Sequence, residues 1–203
     1  MTSRFAQLAF TPGVQRHQRD HGSDRAYRRL VEGPPVADRL GSDERQFIRQ
    51  RDSFYLATVG ETGWPYIQHR GGPLGFLKVL DDCTLGFADF RGNRQYISRG
   101  NLDHDNRVSL FLMDYAHQTR LKLLGRARVV EDDPKLISRL SVEGYPAKVE
   151  RAVLIDVEGF DWNCPQHIPQ MFPRDAVEQA LGTLEKRIAT LERENAELRK
   201  APP

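Results

Sequence analysis

Short apolar segments separated by polar turns fill the middle of the chain and predict β-strands. They are rich in Val, Ile, Leu, Phe and Tyr and are bounded by Gly, Pro, Asp or Asn. The connections at residues 60–63 and 81–82 are short, which favours antiparallel pairing. We expect a mainly β protein with small helices (α+β), whose six- to seven-stranded antiparallel sheet forms a closed or split β-barrel. The predicted strands are Phe54–Val59, Trp64–Arg70, Phe76–Leu80, Thr84–Phe90, Arg107–Met113, Arg120–Glu131 and Ala152–Val157.

Capping signals predict short helices between these strands. Ser42 is a suitable N-cap for a helix over residues 45–51, and a helix over 134–140 begins with proline. A third helix is expected over residues 93–101, where the chain leaves the fourth strand.

Two segments have no clear pattern. Residues 1–41 are irregular apart from a short helix after Ser23, and we interpret them as an N-terminal arm that either packs on the sheet or covers a site as a lid. Residues 159–169 are too polar and proline-rich for a regular element, yet too aromatic for a simple solvent loop.

Residues 174–203 carry a heptad repeat that predicts a coiled-coil helix. The charges beside its apolar seam are arranged for a parallel dimer, since Arg187 would face Glu192 of a partner and Glu194 would face Arg199. The alternative is a single helix that docks on its own domain. The seam has Val177, Leu184, Leu191 and Leu198 at d and Leu181, Ile188 and Asn195 at a.

Composition narrows the class of protein. The chain has 203 residues, of which 39% are hydrophobic and 29% charged, and its formal charge is +2. This balance gives no global basic field for a nucleic acid partner. No segment has the roughly 18 apolar residues of a membrane helix, and no apolar signal peptide follows the first residues. We therefore expect a cytoplasmic protein with no membrane or nucleic acid partner.

Cysteine usage agrees with a reducing compartment. Cys83 and Cys164 are far apart and form no CxxC motif, so two free thiols are expected rather than a disulfide framework. We also expect no metal site. The motifs of the P-loop, the Rossmann fold and the serine hydrolases are missing, which removes the main support for those classes.

Two segments dense in Gly, Arg and Asn flank the third and fourth predicted strands. These are Gln68–Pro73 and Phe90–Gln95. Gly lets a ligand approach the backbone, and Arg offers a planar set of donors that suits phosphate. Residues 91–94 also precede a predicted helix, whose N-terminus attracts anions. We expect a small phosphorylated ligand here, although solvated charges after a strand would give the same local pattern.

Single residues in this region allow two interpretations. Lys78 is either a ligand group or an edge lysine that discourages aggregation. His69 is either a structural hydrogen-bonding residue or a catalyst. Trp162 and His167 either bind a planar ligand or close the mouth of the barrel.

The order of these segments resembles the pyridoxamine 5'-phosphate oxidase-like family of FMN-binding split barrels. The resemblance covers roughly Ser42–Ile168, and the combination of its segments is more specific than any one of them. Its last segment, DWNCPQHI at residues 161–168, is similar to that of an uncharacterised branch of the family. The other carrying segments are Gln68–Gly72, Gly75–Val79, Leu85–Asp89, Arg91–Gln95, Asn106–Phe111 and Arg120–Gly125.

The resemblance implies a homodimer with two FMN molecules at the subunit interface. Phosphate contacts would fall on Lys78, Arg94 and Gln95. The ring would lie against the backbone of the strand before Lys78 and of residues 87–89. Arg120 falls where the oxidases have a Gln that reaches the flavin. The implied cofactor-binding residues are His69, Arg70, Gly71, Leu77, Lys78, Phe87, Ala88, Asp89, Asn93, Arg94, Gln95, Arg120, Trp162 and His167.

Two departures from the oxidases bear on the substrate. Pro73 stands where they have an Arg, and their C-terminal Trp–Arg motif is not matched beyond Trp162. Pyridoxamine phosphate is therefore in doubt as the substrate. The expected function is an FMN-dependent oxidoreductase acting on an unknown small molecule. The alternative is a non-catalytic flavin, heme or deazaflavin binding or sensing protein with a coiled-coil partner interface. The expected domains are an arm (1–41), an FMN-binding split barrel (42–173) and a coiled-coil helix (174–203).

Overall fold

The computed structural model describes residues 2–162 and 165–200, except for the side chains of residues 198 and 200. Residues 163–164 of the closing DWNCPQHI segment lie outside the described part. The chain forms two compact units. The first comprises the chain up to residue 114 together with residues 119–165, and the second comprises residues 115–118 together with the chain from residue 166.

The first unit is built on one antiparallel sheet. Seven strands of the described chain pair in the order β2-β1-β5-β6-β7-β4-β3, with every pair antiparallel, so the predicted mainly β fold class is confirmed. The strands are β1 Ser53–Val59, β2 Pro65–Gly71, β3 Lys78–Val79, β4 Thr84–Phe90, β5 Arg107–Asp114, β6 Thr119–Val130 and β7 Val149–Trp162.

Alternating apolar positions of these strands meet in one core. In β1, Phe54 and Leu56 are buried whereas Tyr55 is exposed, and β5 repeats the pattern with Leu110 and Leu112. Burying a side chain of this size contributes roughly 1.5–3 kcal/mol. A register slip of one residue would turn this whole set outward, so the alternation fixes the face that each strand presents to the core.

Two strands differ in length from the prediction. The strand predicted over Phe76–Leu80 is reduced to β3, because the Phe76 N–H bonds the Pro73 carbonyl in a turn. The strand predicted over 152–157 continues to Trp162, where it pairs with Leu121 of β6. The prediction that no element includes residues 159–162 is therefore wrong.

Seven helices of the described chain accompany the sheet and the tail. The helix predicted over 134–140 is confirmed, with the Asp133 side chain accepting the Leu136 N–H (2.9 Å). Leu140 packs with Ala88 on the outer face of the sheet. The helices are α1 Arg4–Ala9, α2 Pro12–Asp20, α3 Asp24–Val31, α4 Ser42–Arg49, α5 Ile97–His104, α6 Pro134–Leu140 and α7 Arg174–Lys200.

Two helix starts also differ from the prediction. Ser42 lies inside α4 rather than capping it. Gly41 is the N-cap, and its N–H donates to the Glu44 carboxylate (2.8 Å). Helix α5 begins at Ile97 rather than at residue 93, because Arg94 and Tyr96 have positive φ angles that no right-handed helix accepts.

The N-terminal arm is helical, not irregular, and α1 packs on β7. The Asp38 carboxylate accepts the N–H groups of Arg4 (2.9 Å) and Phe5 (3.2 Å) from α1 and that of Phe160 (3.2 Å) from β7. Gly159 permits this contact, since a β-carbon there would lie 2.4 Å from the Phe5 nitrogen. The packing interpretation of the arm therefore describes α1.

The second unit contains the tail helix α7, which runs over 27 residues. Its predicted helical structure is confirmed, and its polar face carries many charged residues. Within the described part of the chain, none of the helices combines the length and apolar composition that a bilayer-spanning segment needs.

Candidate functional site

A polar cleft lies in the first unit between β2, β4, β7, the loop of residues 91–96 and the start of α5. One chain encloses about 70 Å³ of this cleft. Apolar groups such as Leu56 and Phe87 form part of its wall. Its charged lining consists of Arg70, Arg94, Arg99 and Arg151, with Asp89 and Glu150 as the carboxylates. This lining is well suited to an anionic ligand.

The loop at the mouth of the cleft holds a strained backbone. Arg94 and Tyr96 adopt left-handed φ angles of 63° and 55°, which cost a residue other than glycine about 1–3 kcal/mol each. The Asn93 side chain accepts the Gln95 N–H (3.1 Å) and stabilises this turn. The Arg94 guanidinium is solvent-exposed, and its Nε donates to the Tyr96 hydroxyl (3.3 Å). Within the described residues, Arg94 forms no ion pair.

Helix α5 opens into the same cleft without a capping side chain. Tyr96 occupies the N-cap position, and its side chain makes no capping hydrogen bond. The first N–H groups of a helix have no partner inside the helix and carry partial positive charge. Ile97, Ser98 and Arg99, the first residues of α5, all line the cleft.

The floor of the cleft is a largely buried charge network centred on Asp89. Arg70 donates to the Asp89 carboxylate (2.7 Å) from β2, and Arg151 lies 3.5 Å from its other oxygen. Arg151 also bonds Glu131 (3.1 Å) and Glu150 (3.0 Å). Burial raises the pKa of the Asp89 carboxyl, while the two guanidinium groups act in the opposite direction.

Two buried hydrogen-bond donors in this network are unsatisfied. The Nε atoms of Arg70 and Arg151 are buried and have no hydrogen-bond partner among the described residues, and the Arg151 Nε has only the 3.5 Å ion-pair contact with Asp89. Most buried polar atoms are hydrogen-bonded, so unsatisfied donors need an explanation. Both residues line the cleft, where a bound anion would add negative charge next to them.

The cleft brings together six of the predicted cofactor-binding residues and leaves the others elsewhere. Lys78 donates to the carbonyl oxygens of Arg139 (2.7 Å) and Ser141 (3.1 Å) at the end of α6. Trp162 donates to the Glu44 carboxylate (2.7 Å). The six in the cleft are Arg70, Phe87, Asp89, Asn93, Arg94 and Gln95.

The remaining predicted residues do not line this cleft. Leu77 and Ala88 are buried in the core, and His69 is exposed beside the Tyr55 ring. Gly71 ends β2, and His167 belongs to the second unit. Arg120 lies over the Phe111 ring (5.8 Å), and its Nε is buried without a hydrogen-bond partner in the described chain.

Sequence reasoning missed the contribution of β7 to the cleft. Glu150 and Arg151 open this strand, and the ladder sets Arg151 directly opposite Asp89. The signal was a pair of charged residues immediately before an apolar run. Arg99 and Ser98 were also missed because the helix was expected to start earlier.

A separate cluster on the surface contains potential metal ligands. Ligand atoms of Asp81, Asp82 and Cys83 lie within 4.8 Å of one another. The Asp81 carboxylate accepts the Cys83 N–H (2.8 Å), and this hydrogen bond lowers the pKa of Asp81. The turn therefore explains why these three side chains lie close together, and we assign no metal site to them.

Comparison with protein families identifies the class of protein. The sequence model of the pyridoxamine 5'-phosphate oxidase family matches residues 42–178, more than half of the chain. The chain belongs to the pyridoxamine 5'-phosphate oxidase-like family of FMN-binding split barrels, as its sequence pattern predicted. No curated protein matches the chain.

Solved structures share the fold at low sequence identity. HupZ from Group A Streptococcus is 14% identical with a TM-score of 0.50, covering 66% of this chain and 100% of its own. A variant of HupZ reaches a TM-score of 0.51 at 14% identity, with coverages of 61% and 99%. An FMN-binding protein from Syntrophomonas wolfei is 12% identical with a TM-score of 0.47, with coverages of 73% and 96%. The two HupZ structures support the shared fold alone.

Proposed function

We propose that the chain binds FMN and acts as an FMN-dependent oxidoreductase on a small molecule. The observation that carries the proposal is the arginine-lined cleft at the uncapped start of α5. Membership of an FMN-binding family supports the same reading. Pyridoxamine phosphate is not proposed as the substrate, because the oxidases' Trp–Arg motif is not matched.

The residues of the cleft fit the phosphate end of FMN. Arg94 offers a guanidinium without a carboxylate partner in the described chain, next to the free N–H groups of α5. An anion at a helix N-terminus satisfies these donors and interacts favourably with the helix dipole. Anion binding would also offset the unfavourable free energy of the left-handed backbone in this loop.

The size of the cleft supports a site completed by a second copy of the chain. Clefts that hold ligands of this size have volumes of roughly 300–1,000 Å³, whereas one chain encloses about 70 Å³. The outer sheet face offers a surface for the second copy, because Tyr55 and Ile67 are exposed there. Arg120 and Phe111 lie on neighbouring strands of the same sheet. We propose a homodimer with FMN at the subunit interface.

Different residues would hold the phosphate, the floor of the cleft and the flavin ring. Arg94 and the first turn of α5 would hold the phosphate, and the Arg70–Asp89–Arg151 network would keep the floor of the cleft rigid. Arg120 would supply positive charge near the ring. Bound FMN would supply the redox chemistry, accepting and passing on electrons.

The first experiment is an absorbance spectrum of the purified protein from about 300 to 500 nm, with the released ligand identified by mass. We expect a flavin spectrum and FMN, and bleaching of that spectrum by NADH or NADPH. A protein that takes up FMN but is reduced by neither would contradict a nicotinamide-dependent reductase and favour a binding or sensing protein. A heme or deazaflavin spectrum would contradict FMN itself.

Arg94→Ala should weaken FMN binding by about 1.5–3 kcal/mol, roughly 10- to 150-fold in Kd, because one charge-assisted hydrogen bond is lost. The matched control is Arg91→Ala, since Arg91 pairs with Glu150 (2.8 Å) and does not line the cleft. Fluorescence titration of the apoprotein with FMN measures both constants. Equal affinities for the two variants would contradict the role of Arg94.

A further inference from the structure

The tail helix α7 carries an apolar seam that the described residues of its own unit leave exposed. The five apolar seam residues with described side chains are between 39% and 58% exposed. Isolated apolar side chains are common on surfaces, but a continuous strip along a helix marks an interaction site. The strip consists of Val177, Leu181, Leu184, Ile188 and Leu191.

The spacing of this seam fits a partner helix rather than a globular core. Its members recur in steps of four and three, the 3.5-residue period of a coiled coil. Helices that pack on a globular core show a wider apolar face. The positions beside the seam are all Glu or Arg except Ala180. With 27 residues, α7 is about 40 Å long, enough for more than three heptads.

The charges beside the seam match a second copy in parallel orientation. In a parallel pair each g position faces the following e position of the partner. Arg187 would face Glu192 of the second copy, and Glu194 would face Arg199, each pair occurring twice by symmetry. Both contacts are attractive, and the Ala180 and Glu185 positions add no repulsion.

An antiparallel self-pairing with Leu181 opposite Leu191 and Leu184 opposite Ile188 would bring like charges together. There each g position faces g and each e position faces e. Arg187 would then face its own copy, as would Glu185. Because such juxtapositions are unfavourable, the charge pattern disfavours this antiparallel register.

Asn195 adds a register signal at an a position. In the single chain its side-chain amide donates to the Leu191 carbonyl of the same helix (3.0 Å). In a parallel in-register pair the two Asn195 side chains would meet and bond each other. A buried Asn at a favours two strands in one register at some cost in stability.

We infer that α7 binds α7 of a second copy of this chain as a parallel, in-register, two-stranded coiled coil. The inference does not depend on FMN or on the sheet face proposed above. A helix pair of this length is marginal on its own, so the tail would add to a dimer that the first unit also forms. An experiment can therefore contradict tail pairing without contradicting flavin binding, and the reverse.

Disulfide trapping in the full-length protein tests orientation and register. With Leu184→Cys at d, mild oxidation should link most of the protein as covalent dimers on non-reducing gels. Lys186→Cys at the outer f position is the matched control and should remain near the wild-type background, which already includes the native cysteines. Only a parallel in-register pair places residue 184 beside its own copy. Equal crosslinking of the two variants would overturn the inference.

A charge exchange gives an independent readout. Leu184→Cys proteins that also carry Arg187→Glu or Glu192→Arg should each crosslink several-fold less, because every g–e contact at that level becomes repulsive. When the two are co-expressed, one with a mass tag, the mixed dimer should recover crosslinking, since Glu then faces Arg on both sides. Absence of a preference for the mixed dimer would overturn parallel self-pairing, even if both variants fold. Flavin content should be unchanged throughout.

Discussion

Arg151→Ala is expected to lower the free energy of unfolding by about 3 kcal/mol, a fall in Tm of roughly 6–12 °C for a chain of this size. The side chain is nine-tenths buried and bonds Glu131 and Glu150, while lying 3.5 Å from Asp89. Its removal would leave Asp89 in a buried position with Arg70 as its remaining partner. The buried Asp89 carboxylate thus loses part of its compensation, and the charge-assisted hydrogen bonds to Glu131 and Glu150 are lost with it.

The matched control for Arg151 lies on the neighbouring strand. Arg128 is more than half exposed, and its Nε lies 3.6 Å from the Asp156 carboxylate. Exposed pairs of this kind contribute about 0–1 kcal/mol, so Arg128→Ala should change stability little. Chemical denaturation of both variants measures the difference. If the two lose the same stability, the Asp89 network does not support the fold as described.

Gly125→Ala should lower the free energy of unfolding by about 3 kcal/mol, at the upper end of the range for overpacked positions. Gly125 lies where the register of β6 and β7 shifts. A β-carbon there would lie 2.5 Å from the Asp156 carbonyl oxygen and 3.0 Å from the Ile155 side chain. Since the obstacle is backbone of a paired strand, the two strands would have to separate locally.

Gly100→Ala is the control for this substitution. A β-carbon at Gly100 meets no atom within 4 Å, and the residue lies inside α5. Alanine should therefore raise stability by up to about 1 kcal/mol. Thermal unfolding followed by circular dichroism compares the two variants. A Gly125→Ala protein as stable as the wild type would show that β7 can move at this register shift without loss of stability.

The strands were predictable because their signal is local. Alternation along residues 54–59 fixes which face of β1 is buried, and Asp133 with the following proline marks the start of α6. The helices α1 and α2 also had local signals, since Ser3 and Thr11 accept N–H groups as N-caps. These capping residues are visible in the sequence, but the arm was predicted to be irregular because its apolar residues follow no clear period.

The cleft was less predictable because its parts meet through long-range pairing. Asp89 faces Arg151 only after β4 pairs with β7, which lies some sixty residues further along the chain. The start of α5 depends on the left-handed conformation of Arg94 and Tyr96, which side chains other than Gly rarely adopt. The presence of Arg94 in the cleft was nevertheless predictable, because the composition of residues 91–94 is typical of an anion site.

The docking of α1 on β7 has a consequence for the order in which the protein forms during synthesis. Asp38 and Phe160, which share a hydrogen bond across this junction, are separated by 122 residues. At about 5–20 residues per second, a ribosome needs roughly 6–24 s to deliver the second after the first. Throughout that interval α1 has no strand to pack on. Helix α1 therefore leaves the ribosome well before the strand that fixes its native position.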